Sequence, residues 1–258
     1  VVILVVFLAG VLGALYFTNG KSEVVQTTGK HSNVTIKESN TISTAVDKIY
    51  DAVIYVESYK YNQVVSSGSG FVYKKDSKYG YIMTNHHVVD GATEIKVSTM
   101  NGDLVEATLL GSDSYADLAV LRIDADKVID VASVGDSTKS KIGDTVFTVG
   151  TPIDSQYMGT VTKGILSNQA RTITVSSNKG NYMMEVLQTD ASINPGNSGG
   201  PLVNVNGEVI GITSMKLVTD EVEGMGFAIP IEVAMAQVDK LESGKEIQRP
   251  YIGVVMYD

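Results

Sequence analysis

The sequence predicts an all-β protein built as two six-stranded antiparallel barrels, with short helices near its N- and C-terminal ends. Three observations lead there. Short Val/Ile-rich runs recur in two series of about six, bounded by turn residues, and 25 glycines punctuate the 258-residue chain. A hydrophobic share of 43% is enough to fill a sizeable core. Asn206-Gly207, set between Val203/Val205 and Val209/Ile210, is the two-residue signal of a tight hairpin.

The elements follow in chain order. Residues 1–17 carry no charge, and as a helix they span about 26 Å, the lower end for a membrane crossing. Leu15-Tyr16-Phe17-Thr18-Asn19 offers no small-x-small cleavage site, so the expectation is a partial, uncleaved transmembrane anchor rather than a signal peptide. Val1 has no initiator methionine or basic stretch before it, which reads as a start inside a longer protein. Residues 18–41 are rich in Ser, Thr, Asn, Gln, Gly and Lys and read as a flexible polar linker. Ile42, Ala45, Val46 and Ile49 recur at helical spacing and feed the first strand. Strand-like runs then occupy 52–59, 67–74, 80–89, 94–99, 104–111 and 117–123. A second series occupies 144–150, 159–168, 183–189, 201–205, 208–214 and 225–229. Ile231, Ala234, Val238 and Leu241 mark a closing helix framed by Pro230 and Gly244.

The chemistry starts at Asp190-Ala191-Ser192-Ile193-Asn194-Pro195-Gly196-Asn197-Ser198-Gly199-Gly200-Pro201. Ser198 stands there among small, turn-forming residues that leave its hydroxyl accessible. The N–H groups of Gly196 and Ser198 converge in such a turn on a common spot, with Asn197 between them, as an oxyanion hole requires. A serine needs a neighbouring base to become a strong nucleophile. Gly196-Asn197-Ser198-Gly199-Gly200 also fits a G-x-S-x-G elbow, but in that fold the histidine follows the serine. The three histidines here, His31, His86 and His87, all precede Ser198. The order His, then Asp, then Ser is the one the chain can supply.

His31 falls in the polar linker and carries no catalytic weight. His86 and His87 close the apolar run Gly80-Tyr81-Ile82-Met83-Thr84-Asn85, and spacing alone does not choose between them. Asp117 opens the strongly apolar run Leu118-Ala119-Val120-Leu121, where a carboxylate needs a hydrogen-bonding partner such as an imidazole N–H. Asp113, in a Gly-Ser-Asp-Ser turn, and Asp124, past the strand, look solvated.

Thr84-Asn85-His86-His87-Val88, Asp117-Leu118-Ala119-Val120-Leu121 and Asn194-Pro195-Gly196-Asn197-Ser198-Gly199-Gly200 resemble the three catalytic blocks of the HtrA (DegP/DegS-like) family of trypsin-like serine proteases. Ser67-Gly68-Ser69-Gly70-Phe71-Val72 and Gly226-Phe227-Ala228-Ile229-Pro230 are similar to further family blocks. The resemblance covers roughly residues 42–258. It implies the chymotrypsin/trypsin-like two-barrel fold and a protease domain over 42–247. It also implies a triad of His87, Asp117 and Ser198, the last histidine of the first block being the catalytic one. Arg249-Pro250-Tyr251-Ile252-Gly253-Val254 is similar to the opening of a PDZ domain, so 248–258 is expected to be the truncated start of one.

In chymotrypsin-like folds the substrate pocket lies shortly before the nucleophile. Its expected base is Ser192, and its expected walls are Thr213, Ser214 and Met215 with Gly226 and Phe227 opposite. With no carboxylate at the base, a small or medium apolar side chain is expected rather than Arg or Lys. The polar stretches Lys216–Gly224 and Asn168–Tyr182 match places where the family carries regulatory loops. The implied activity is endopeptidase cleavage of unfolded or misfolded exported proteins, without cofactor or metal. The implied setting is a homotrimer tethered to a bacterial membrane with its protease domain outside the cytoplasm. A chaperone-like holdase with little cleavage and a serine esterase remain the alternatives.

Bulk properties narrow the rest. A net charge of −9 argues against nucleic acid as a partner. With no cysteine, disulfides, thiolate catalysis and cysteine metal sites are excluded.

Overall fold

The computed structural model describes residues 39–177, 180–217, 224–245 and 247–249. The expected anchor over 1–17, nearly all of the linker and most of the expected PDZ opening lie outside them. Among the described residues, no helix is long and apolar enough to cross a membrane.

The domain begins with helix α1 (Ser39–Asp47), which starts three residues ahead of the first apolar position that marks it in the sequence. The chain then forms β1 (Val53–Lys60), β2 (Gln63–Lys75) and β3 (Tyr79–Thr84), followed by a single helical turn, α2 (His86–Val89). Strands β4 (Glu94–Thr99), β5 (Leu104–Asp113) and β6 (Leu118–Asp124) complete a closed barrel in the order β1-β2-β3-β6-β5-β4. The second half holds β7 (Ser133–Val134), β8 (Thr145–Gly150), β9 (Thr160–Ser177), β10 (Gly180–Thr189), β11 (Pro201–Asn204), β12 (Glu208–Thr213) and β13 (Gly226–Pro230). Its order is β11-β8-β9-β10-β13-β12-β7, and an added β11–β12 pairing turns the sheet back on itself. The short β7 pairs with β12 in parallel as an outer strand. Closing both sheets removes the exposed edges that invite aggregation.

Alternation along the strands builds the cores. Ile54, Val56, Val72, Ile82, Val97 and Leu121 fill the first barrel, and Val146, Leu166, Leu187, Leu202 and Ile210 fill the second. Residues pointing the other way, including Phe71, Met83 and Val120 from one half and Phe147, Val149 and Ile229 from the other, make a third cluster joining the two. Fully burying one such side chain contributes roughly 1.5–3 kcal/mol, so this third cluster holds the barrels together firmly.

Helices α3 (Ile231–Met235) and α4 (Val238–Glu242) bury Ile231, Ala234, Val238 and Leu241 in that joining cluster. The end of α4 returns to the first barrel, where Tyr73 Oη donates to Glu242 Oε1 at 2.9 Å and Lys74 Nζ reaches Glu242 Oε2 at 2.6 Å.

Two expectations are corrected. The run 80–89 is not one strand: it stops at Thr84 and becomes a helical turn at His86. The stretch 168–182 is not a loop: its described residues continue β9 and β10 into a long hairpin. Arg171 and Thr172 face solvent there while Val175 is buried in the joining cluster, so a two-stranded ribbon packed on one side carries the polar composition of a loop. The stretch 216–224 begins with a 3-10 turn at Met215–Leu217, and residues 218–223 lie outside the described set.

Candidate active site

Asp117 sits in the turn leading into β6 with φ of +54°, the left-handed region that aspartate tolerates better than most residues. Asn85, the residue just ahead of α2, supports that conformation by donating its Nδ2–H to the Asp117 carbonyl at 2.8 Å. The Asp117 side chain is fully buried, whereas that of His87 is 29% exposed, so the imidazole is the member that meets the cleft.

Three donors satisfy the buried carboxylate. His87 N–H reaches Oδ1 at 3.0 Å, His87 Nδ1 lies 2.8 Å from Oδ2, and Ser214 Oγ donates to Oδ2 at 2.9 Å. A carboxylate only accepts, so the proton of neutral His87 resides on Nδ1. Nε2 is left as a lone-pair base. The helical turn separates the two histidines. His86 points to Ser112 Oγ, 3.1 Å from its Nδ1, and to Asp90, 3.7 Å from its Nε2.

The other aspartates behave differently from one another. Asp124 is exposed as expected, although it is the last residue of β6 rather than past it. Asp113 is buried, contrary to its turn-like sequence, because Arg249 covers it with both terminal guanidinium nitrogens, one 2.9 Å from Oδ1. The guanidinium also lies 5.0 Å from the centroid of the Tyr115 ring.

Ser198 lies across the seam in the turn between β10 and β11. Its Oγ accepts the Met215 N–H at 3.0 Å. The turn is pinned one peptide at a time. Ile153 N–H donates to the Pro195 carbonyl at 2.9 Å, and Thr213 Oγ1 donates to the Asn197 carbonyl at 2.6 Å. Between them, Ser69 Oγ from the first barrel donates to the Gly196 carbonyl at 2.7 Å. Gly196 takes φ of +99°, and a Cβ there would lie 2.1 Å from the Thr151 carbonyl oxygen, so this position needs glycine for two reasons.

The N–H groups of Gly196 and Ser198 donate to no acceptor among the described residues, as an anion-binding pair requires. Asn197 differs: its N–H donates to the Asn194 carbonyl at 2.9 Å within the turn, which removes it from the expected oxyanion set.

The expected pocket residues divide. Ser192 is exposed, with its carbonyl accepting from Thr162 Oγ1 at 2.8 Å. Thr213 and Ser214 are fully buried, with hydroxyls turned to the Asn197 carbonyl and to Asp117 rather than to an open wall. Phe227 packs into the cluster between the barrels, and its carbonyl accepts Ser214 N–H at 3.1 Å. Met215 is half-buried beside Ser198. Gly226 faces Ile193, whose Cγ1 would lie 2.5 Å from a Cβ at that position. Ile193, given no role in the sequence, therefore fills space alongside Gly226. Ser69 and Asn85 are equally new. Each stood inside a recognisable block, but their partners are distant in sequence.

Among the described residues, no group of His, Asp and Glu side chains is arranged to hold a metal ion. The parts suit nucleophilic acyl transfer: a serine hydroxyl, an imidazole oriented by a buried acid, and two N–H groups with no acceptor among the described residues.

Comparison with known proteins follows the same direction. Residues 68–212 match the family model of the trypsin-like peptidase domain. Serine protease Do-like HtrA of Bacillus subtilis is 50% identical over 192 residues, covering 74% of this chain and 43% of that protein. Serine protease Do-like HtrA of Lactococcus lactis subsp. cremoris is 40% identical over 261 residues, covering 90% of this chain and 64% of that protein. A crystal structure of the serine endoprotease from Yersinia pestis superposes with a TM-score of 0.65 at 38% identity, over 78% of this chain and 66% of that one. The chain thus spans less than two thirds of the length of these two curated relatives.

Proposed function

This chain belongs to the HtrA family of trypsin-like serine proteases, and from that membership we propose that it is a serine endopeptidase acting through Ser198, His87 and Asp117. Ser198 Oγ attacks the carbonyl carbon of a peptide bond while His87 Nε2 takes the hydroxyl proton. Asp117 holds the imidazole in the required tautomer and stabilises the imidazolium that forms. The carbonyl oxygen becomes an oxyanion between the N–H groups of Gly196 and Ser198. Losing one such donor typically costs about 3–4 kcal/mol of transition-state stabilisation. The imidazolium then protonates the leaving amine, the C–N bond breaks, and an acyl-serine remains. Water, deprotonated by His87, attacks the ester and frees the serine.

The observation that supports this reading is the two-point contact of the buried Asp117 with His87, through ring and backbone. Ser214 donates to the same carboxylate, and the next residue, Met215, holds Ser198 Oγ. Ser198 is itself buried, and attack requires its Oγ to exchange the Met215 N–H for His87 Nε2 or to share the two.

The proposed substrates are unfolded or misfolded exported polypeptides, cleaved after small apolar residues that fit beside Ile193 and Gly226. We further propose that the chain works as a homotrimer on the outer side of a bacterial membrane, held there by residues 1–17. Labelling with a fluorophosphonate tests the chemistry: Ser198 Oγ displaces fluoride from phosphorus and stays phosphonylated. Labelling at Ser198 that depends on His87 is expected. Equal labelling of Ser198→Ala would refute the assignment.

A further inference from the structure

We propose that Ser69 is a positioning residue for the oxyanion site, its buried hydroxyl fixing the peptide between Gly196 and Asn197 and thereby the direction of the flanking N–H groups. The inference rests on the endopeptidase reading above and adds to it a residue from the opposite barrel.

Ser69 is fully buried on β2. Its single hydroxyl proton goes to the Gly196 carbonyl at 2.7 Å, and its oxygen accepts Thr151 N–H at 3.0 Å. The hydroxyl therefore has a fixed direction. Its own peptide is fixed as well, because Ser69 N–H donates to the Ser198 carbonyl at 2.7 Å and Thr84 Oγ1 donates to the Ser69 carbonyl at 2.7 Å.

A planar peptide transmits this order. The N–H of Gly196 shares a plane with the Pro195 carbonyl, and the N–H of Ser198 shares one with the Asn197 carbonyl. Those two planes are pinned from within the second barrel, by Ile153 N–H and by Thr213 Oγ1. The plane between them, from Gly196 to Asn197, sets the angle at which the two free N–H groups converge. Its carbonyl is pinned by Ser69 Oγ alone among the described residues. Glycine at 196 offers little resistance to rotation of its own, so the constraint must come from the partner. Ser69 thus couples the docking of the barrels to the geometry of the anion site.

The test is steady-state kinetics on a peptide with valine at the cleaved position, together with binding of a valine-type peptide boronic acid. Boron takes the serine oxygen as its fourth ligand while the serine proton passes to His87, and the anionic tetrahedral boronate presents a hydroxyl oxygen to the same N–H pair. Ser69→Ala is expected to lower kcat about 10- to 100-fold, as misplacement of roughly 1 Å does, with KM nearly unchanged and boronate affinity falling by a similar factor. Tyr73→Phe also removes one hydrogen bond, the one to Glu242 outside this network, and should lower Tm, yet keep kcat within about threefold. If Ser69→Ala does not fold, Ser69→Cys, with its weaker donor, is read in the same way.

A folded Ser69 variant with kcat and boronate affinity both within about threefold of wild type would overturn the proposal, as would an equal loss in Tyr73→Phe. Cleavage by Ser198→Ala would instead refute the endopeptidase reading itself, so the two failures are told apart.

Discussion

The Met215 amide donates to Ser198 Oγ at 3.0 Å, tying the hydroxyl oxygen to the residue that opens the turn after β12. Removing the acceptor should free the donor. In Ser198→Ala the Met215 amide is expected to exchange with solvent at least several-fold faster. The Gly199 amide, bonded to the Thr213 carbonyl at 2.8 Å, should exchange as before. Unchanged exchange at Met215 would mean that this contact is absent in solution.

The buried acid gives a second expectation. Asp117→Asn keeps the volume but removes the charge that orients His87, and a drop in kcat of about 10⁴ is expected with the fold intact. Ser214→Ala removes one of the three donors to the same carboxylate and should cost about tenfold, the scale of a hydrogen bond to a charged group. A Ser214→Ala variant as weak as Asp117→Asn would give Ser214 a larger part than this account does.

Pocket size is tested at Ile193. Ile193→Ala opens the space next to Gly226, so cleavage after phenylalanine should gain about tenfold in kcat/KM relative to cleavage after valine. A peptide library that shows no change, or strict cleavage after arginine, would place the pocket elsewhere.

Acid stability has a local reporter. The Thr138 hydroxyl, followed by Lys139 3.0 Å away, holds the Asp136 carboxyl down at about 2 from its ordinary 3.8. A depressed carboxylate stabilises the fold above its unfolded value and loses that contribution as pH falls through the folded one. Wild type should therefore exceed Asp136→Asn in stability above about pH 4, the difference vanishing towards pH 2. Urea titrations at several pH values read this directly, and a pH-independent difference would contradict it.

Much of this was legible in the sequence because local chemistry and periodicity agreed. Both strand series, the Asn206-Gly207 hairpin and the closing helix signals all sit in short stretches whose pattern carries its own explanation. Asp117 could be singled out because a carboxylate in an apolar run needs a partner. His86 and His87 could not be separated by spacing, since the expected extended run is in fact a helical turn. Asp113 misled because its counterion, Arg249, is 136 residues away. Ser69 was hidden for the same reason, its contact to Gly196 spanning 127 residues. The ribbon of β9 and β10 read as a loop because so much of its surface is exposed.

The central claim is that Ser198 is the nucleophile of a peptide-cleaving triad with His87. Degradation of an unfolded protein such as casein by wild type, Ser198→Ala, His87→Ala and His86→Ala tests it most directly. Cleavage by wild type and His86→Ala, with none by the other two, is the predicted result. Cleavage that survives in Ser198→Ala, or that is lost in His86→Ala but kept in His87→Ala, would contradict it.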